Sequence, residues 1–215
     1  MFKSGYIAII GQPNVGKSTL LNVLLGQKIA AVTPKPQTTR HRILGIKHLP
    51  QGQILFLDTP GIHHPHKSLN EYMMEVTRTS LSDADIFLFL IEAADSLSPE
   101  DEEIFKSLAP YKKPILLVIN KSDRSHPAAI THLAKRCQQQ WNPVRIVSIS
   151  AKTEKGIQEV ETEILKRLPE GPAYFPEDQV TDQTERFLAA EIIREKVMEL
   201  TREEIPYSVT VQVEA

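Results

Sequence analysis

Eight residues, GQPNVGKS (11–18), lie between the apolar run YIAII (6–10) and the periodic segment STLLNVLLG (18–26). They fit the pattern G-x-x-x-x-G-K-[ST] in the strand–loop–helix setting that gives that pattern its meaning. Gly11 and Gly16 let the backbone wrap closely, so N–H groups along Gln12, Pro13, Asn14, Val15 and on to Thr19 can converge on anionic oxygens, the proline excepted. Lys17 adds a point charge for the terminal two phosphates of a nucleotide. Ser18 can ligate Mg²⁺ while opening a helix whose N-terminus favours anions.

Such a loop needs a strand before it and a helix after it, and the remaining pattern agrees. ILGIKHL (43–49) and QILFLD (53–58) read as strands joined around Pro50-Gln51-Gly52. IFLFLI (86–91), ILLVIN (115–120) and VRIVSIS (144–150) read as three more. SPEDEEIFKSLA (98–109) opens a helix with Ser98 as N-cap, Pro99 at the first position and acids in the first turn. A further helix over about 155–168 stops at Leu168-Pro169. Strands alternating with helices predict an α/β fold: a six-stranded, mostly parallel sheet covered on both faces.

Residues 169–183, PEGPAYFPEDQVTDQ, read as a linker between a first domain at 1–168 and a segment at 184–215. TERFLAAEIIREKVMEL (184–200) is helical by pattern. Asp182 is expected to cap it, with Glu185 as return partner. Ala189, Ile193, Val197 and Leu200 fall on one face at four- and three-residue steps. YSVTVQVEA (207–215) alternates with period two and reads as a strand.

The chain is 41% hydrophobic and 24% charged, ordinary for a globular protein. Its one cysteine, Cys137, excludes an internal disulfide, fits a reducing compartment and reads as a packing residue. No apolar run approaches the ~18 residues that span a bilayer, and the N-terminal run is too short for a secretory signal. The expected location is the cytoplasm. Net charge is −2, but residues 1–57 hold seven Lys or Arg and no Asp or Glu. That basic pole is expected to face phosphates.

DTPG (58–61) ends a predicted strand downstream of the phosphate loop. Asp58 can hold magnesium through water, Thr59 and Pro60 shape the turn, and the Gly61 N–H can reach a γ-phosphate. Between the two motifs, TPKPQTTRHR (33–42) carries a threonine pair. A loop threonine commonly completes the magnesium shell when the γ-phosphate is present. Thr39 is the first choice and Thr38 the alternative.

NKSD (120–123) follows the fifth predicted strand. The Asp123 carboxylate can accept two hydrogen bonds, and guanine offers N1–H and an exocyclic amine in the matching place. Adenine would leave it unpaired, so an ATPase is disfavoured. Asn120 and Lys121 complete that corner. Ser150, Ala151 and Lys152, SAK after the sixth strand, would set a backbone N–H on the guanine carbonyl. The expected substrate and product are GTP and GDP.

With these motifs in place the sequence resembles a translation-factor-type GTPase with a Ras-like core. PQTTRHRILGI, DTPGI, YFPEDQVTD, FLAAEIIREKV and IPYSVTVQVE make it similar to the Era family of bacterial GTPases over essentially its whole length. The resemblance implies GTP hydrolysis coupled to small ribosomal subunit (30S) assembly. It also implies binding of small-subunit ribosomal RNA through a carboxy-terminal KH domain, and peripheral association with the inner face of the cell membrane. DNA is not an implied partner. A KH domain clamps RNA with a G-x-x-G loop. The last glycine here is Gly171, so 184–215 is expected to be an incomplete beginning of a KH-type α+β domain.

Ile62 follows the DTPG glycine, where many GTP hydrolases carry a glutamine that orients the attacking water. The resemblance implies a substitute: a potassium ion held in part by Asn14. Arg40 and Arg42 are the rival source of positive charge. The expected catalytic set is therefore Asn14, Lys17, Thr39 and Gly61. The alternative is a GTP-gated RNA- or ribosome-binding module with negligible hydrolysis of its own. His63, His64 and His66 lack the cysteine or carboxylate neighbours of a metal site.

Overall fold

Apolar runs bounded by turn residues form six strands, and helices fill the gaps between them. The computed structural model describes residues 1–35, 38–60, 68–201 and 209–214, with only the backbone over 68–74. The order is β1 (Lys3–Gly11), α1 (Lys17–Leu25), β2 (Ile43–Leu49), β3 (Gly52–Asp58), α2 (Ser68–Asp83), β4 (Ile86–Glu92), α3 (Pro99–Leu108), β5 (Ile115–Asn120), α4 (Pro127–Trp141), β6 (Arg145–Ser148), α5 (Ile157–Arg167) and α6 (Glu185–Leu200). The strands lie in the order β2-β3-β1-β4-β5-β6. All neighbours are parallel except β2 and β3, the hairpin around Pro50 and Gln51.

Strand alternation builds two cores. Ile7, Ile9, Phe56, Leu88 and Val118 point to the face covered by Leu20, Leu21 and Leu24 of α1 and Val160 and Ile164 of α5. Ala8, Ile10, Phe87, Phe89, Leu117 and Ile119 point to the other face, against Ile104 and Leu108 of α3 and Leu133 and Cys137 of α4. Burial on both faces is why these strands read as continuous apolar runs. Full burial of side chains such as Phe87 and Phe89 contributes about 1.5–3 kcal/mol each. Phe105 and Trp141 stack at 4.6 Å and 7°, joining α3 to α4.

Residues 169–181 lie along the sheet. Ser4 N–H bonds the Pro169 carbonyl, Gly171 N–H the Phe2 carbonyl and Ile46 N–H the Val180 carbonyl. Gln53, fully buried, accepts from the N–H groups of Tyr174 and Phe175 through Oε1 and donates to the Phe175 carbonyl through Nε2. One buried amide thus satisfies a turn of irregular backbone, which buried peptide groups require.

Four observations depart from expectation. Helices α2 and α4 were not apparent in the apolar pattern; α4 starts at Pro127 after His126, which gives no side-chain cap. The cap of α6 is Thr184, whose hydroxyl accepts from Phe187 N–H at 3.2 Å, not Asp182. The hydroxyl sits three residues before the N–H it caps, a spacing Asp182 does not have. The buried face of α6 is also not its apolar stripe. Glu191, Arg194, Glu195 and Met198 face inward, while Ile193 is 46% and Leu200 81% exposed. Finally, Val209, Val211 and Val213 are half-buried and Thr210, Gln212 and Glu214 exposed, yet 209–214 pairs with no strand of the sheet. The alternation is present, but a strand also needs a partner.

Candidate nucleotide site

The phosphate loop follows β1 and feeds α1. Gly16 is at φ +103°, and a Cβ there would lie 2.4 Å from Asn120 Nδ2. No other residue fits without displacing Asn120, so the second motif glycine is set by a close approach as well as by dihedral angle. Asn120, buried at the end of β5, donates to the Val15 carbonyl at 2.8 Å and accepts from Ala151 N–H at 3.0 Å. It ties three motifs into one unit.

These motifs line one cavity of about 440 Å³. Pro13, Asn14, Gly16, Lys17, Ser18 and Thr19 form one wall. Thr38 and Thr39 form a second, and Asn120, Lys121, Asp123, Ala151 and Lys152 a third. Lys17 Nζ donates to the carbonyls of Gly11 at 3.0 Å and Gln12 at 2.8 Å. Burial pushes its ammonium down to about 8, with Asp58 opposing. Asp58 is fully buried, which pushes its carboxyl up to about 6 against the Ser18 hydrogen bond and the Lys17 charge. Ser18 Oγ lies 2.6 Å from Asp58 Oδ2 and 2.9 Å from Thr39 Oγ1. Thr38 turns away: its hydroxyl bonds Thr33 Oγ1 and the Lys35 carbonyl, each at 2.7 Å. Of the two threonines, Thr39 is the one whose hydroxyl lies beside Ser18.

Ser150 Oγ donates to Asp123 Oδ1 at 2.6 Å. That bond is the main reason the Asp123 carboxyl is held below its ordinary value. Lys121 pairs with Glu92 at 2.6 Å.

Other expected residues have supporting positions. The Gln12 side chain leaves the site and donates to Ser98 Oγ at 2.6 Å and Asp101 Oδ1 at 2.8 Å. Val15 packs in the core. Thr59 Oγ1 donates to the Ile9 carbonyl at 2.9 Å, and Pro60 is buried. Asn14 is at φ +61° and donates to the Pro34 carbonyl at 2.8 Å. Gly61, Ile62, His63, His64 and His66 lie outside the described residues.

The basic pole does not converge on the cavity; of its seven members only Lys17 and Lys35 line it. Lys28 pairs with Glu195, Arg42 with Asp83 at 3.5 Å and Lys47 with Glu161. Arg40 Nη1 donates to the Val209 carbonyl at 2.9 Å. Neither arginine lines the cavity. Ala31, Val32, Thr33, Pro34 and Arg124 line the cavity without having been expected there. Only their nearness to Thr38 and Asp123 in sequence could have pointed to them.

A family described as 50S ribosome-binding GTPases matches residues 6–121. GTPase Era of Geobacter metallireducens is 47% identical over 214 residues, covering 100% of this chain and 72% of that protein. The chain belongs to the Era GTPase family.

Among solved structures, Era in complex with MgGDPNP and nucleotides 1506-1542 of 16S ribosomal RNA matches with a TM-score of 0.93 and 49% identity, over 97% of this chain and 71% of that one. A variant of Aquifex aeolicus Era bound to GDP.AlF4- matches with a TM-score of 0.92 and 48% identity, over 96% and 71%. As an Era-family member this chain is a P-loop GTPase, an enzyme that binds GTP and hydrolyses it to GDP and phosphate. Among the described residues no helix is long and apolar enough to cross a membrane.

Proposed function

We propose that the cavity takes GTP with its phosphates at Lys17 and its base at Asp123, and that Ser18 and Thr39 ligate magnesium while Asp58 holds it through water. The observation that carries this is the gathering of oxygens around Ser18 Oγ, with Asp58 Oδ2 at 2.6 Å and Thr39 Oγ1 at 2.9 Å. Asp58 Oδ1 supports it: the atom is buried and has no hydrogen-bond partner. A buried acceptor left unpaired is costly, and a hard cation with its waters would satisfy it. When bound, magnesium offsets charge on the β- and γ-phosphates.

Lys17 would exchange the Gly11 and Gln12 carbonyls for phosphate oxygens. Backbone N–H groups of the loop would orient the γ-phosphate, with Gly61 as the expected partner from DTPG. Asn14 is proposed to hold potassium near the phosphates. Its amide nitrogen is committed to Pro34, so its carbonyl oxygen is the atom offered to a cation. Asp123 and a backbone N–H of the Ser150-Ala151-Lys152 turn would select guanine; if that N–H is Ala151's, it would exchange Asn120 Oδ1 for the base.

We further propose that the two nucleotide states serve small-subunit assembly through ribosomal RNA. The relative solved with nucleotides 1506-1542 of 16S ribosomal RNA supports that reading. Residues 1–168 are proposed as the GTPase domain, 169–183 as the linker and 184–215 as the start of the RNA-binding domain. Cytoplasmic residence, with peripheral contact at the inner membrane face, belongs to the same proposal.

Single-turnover GTP hydrolysis with Mg²⁺, in KCl and then NaCl, tests the catalytic part. Potassium is expected to accelerate turnover, and Asn14→Ala to remove that difference. Equal rates in both salts overturn the potassium role. Asp123→Asn is expected to weaken GTP binding by roughly 100-fold or more, since the pocket loses its paired acceptor.

A further inference from the structure

We propose that Arg194, on the far side of the proposed linker, is a positioning residue of the nucleotide site. It fixes the Thr38 carbonyl, and so sets the Thr39 hydroxyl where magnesium-bound GTP needs it. This rests on the reading of Thr39 as a magnesium ligand.

Arg194 is 3% exposed. Its Nη2 donates to the Thr38 carbonyl at 2.5 Å. Its Nε donates to Glu191 Oε1 at 2.7 Å, its Nη2 also reaches Glu191 Oε2, and its Nη1 lies 3.3 Å from Met198 Sδ. A planar guanidinium held on every edge cannot turn away from the carbonyl it meets. That carbonyl belongs to the peptide leading directly into Thr39. The Thr38 hydroxyl is held as well, by Thr33 and Lys35. Thr38 is therefore clamped at side chain and backbone, and Thr39 faces Ser18 and Asp58 from the next position.

The same helix ties the earlier part of this loop. Glu195 accepts from Lys28 Nζ and from Val32 N–H at 3.2 Å. Lys35 Nζ donates to the Thr201 carbonyl. Loop residues 28, 32, 35 and 38 thus all meet α6 or its C-cap. A buried arginine–glutamate pair is weak evidence for stability, because desolvation offsets most of its attraction. Its directionality is what matters: it specifies one placement of the loop. The expected functional consequence is selective. Thr39 is proposed to act on the triphosphate state, so loosening it should weaken GTP binding and spare GDP.

The test is titration of Mg²⁺ against fluorescent GTP and GDP analogues, with thermal unfolding measured in parallel. The variants of the 215-residue chain are Arg194→Lys and the double change Glu191→Gln with Arg194→Met, which avoids an unpaired buried carboxylate. Thr39→Ala is the control. The double variant is expected to need roughly tenfold more Mg²⁺ for half-maximal GTP binding, the scale of one charge-assisted hydrogen bond. Its GDP binding should stay within about twofold. Arg194→Lys should recover part of the loss, because one donor remains without the fork. If GTP and GDP binding fall together with thermal stability, Arg194 is structural only and the inference is overturned. If Thr39→Ala shifts the GTP titration and the double variant does not, the inference fails while the magnesium reading survives. If Thr39→Ala also leaves the titration unchanged, the magnesium reading itself fails and the inference with it.

Discussion

Helices α5 and α6 bury different kinds of face. α5 turns Ile157, Val160 and Ile164 into the core shared with β5 and β6. α6 turns Glu191, Arg194 and Glu195 inward, with Met198, and leaves Ile192, Ile193 and Leu200 at the surface. Apolar burial is non-directional and holds wherever the area is covered. Paired buried charges hold only when each partner presents the right atom. α5 is therefore scaffold, secured whatever occupies the cavity. α6 is secured by particular contacts with Lys28, Val32, Lys35 and Thr38.

The largest effect expected from this contrast is at α5. Ile164→Ala should cost about 3 kcal/mol of global stability, through lost transfer energy and the cavity left behind. Urea unfolding would measure it, and nucleotide affinity of the folded fraction should be unchanged. Arg194→Ala should cost about 2 kcal/mol, felt locally, because it leaves Glu191 buried without its partner. Amide exchange should rise over 185–200 while α5 and the central strands keep their protection. Uniform loss of protection would erase the distinction between the two helices.

A pH experiment on α4 sharpens the same point for a helix held by apolar contact. Burial pushes the Cys137 thiol up to about 11 from an ordinary value of 9.0. Between those values the unfolded chain loses this proton and the folded one keeps it. The folded state then binds more protons, so this group's contribution to stability falls as pH rises from 9 to 11. Urea midpoints at pH 8 and 10.5 should converge between wild type and Cys137→Ala as the pH is raised. The smallest effect is expected at Ile193→Ser, within about 0.5 kcal/mol because the side chain is already half in water. A loss near that of Ile164→Ala would show that α6 is held by its apolar face after all.

Much of the GTPase core was legible because its signals are local. A glycine-rich loop between YIAII and STLLNVLLG has one productive geometry, and a six-residue apolar run such as IFLFLI is stable only when both faces are covered. The turn at Pro50-Gln51, the Ser98 cap and the stop before Pro169 depend on neighbours a few residues away. The Thr38–Thr39 ambiguity was different. Both are threonines in the same loop, and only the folded chain decides which hydroxyl meets Ser18. The buried face of α6 was not legible for a related reason: periodicity reports an apolar stripe, and cannot report that a charged stripe has partners waiting across the chain.

The sequence by itself determined the phosphate-loop motif, the α/β layering and the family. These rest on dihedral freedom, charge and spacing within short segments. Only the tertiary structure decided that the basic residues of 1–57 are spent largely on the chain's own carboxylates and carbonyls, and that Arg194 meets Thr38 across 156 positions. A buried ion pair is specified by two distant partners at once, and neither residue alone carries the information that the other will be there.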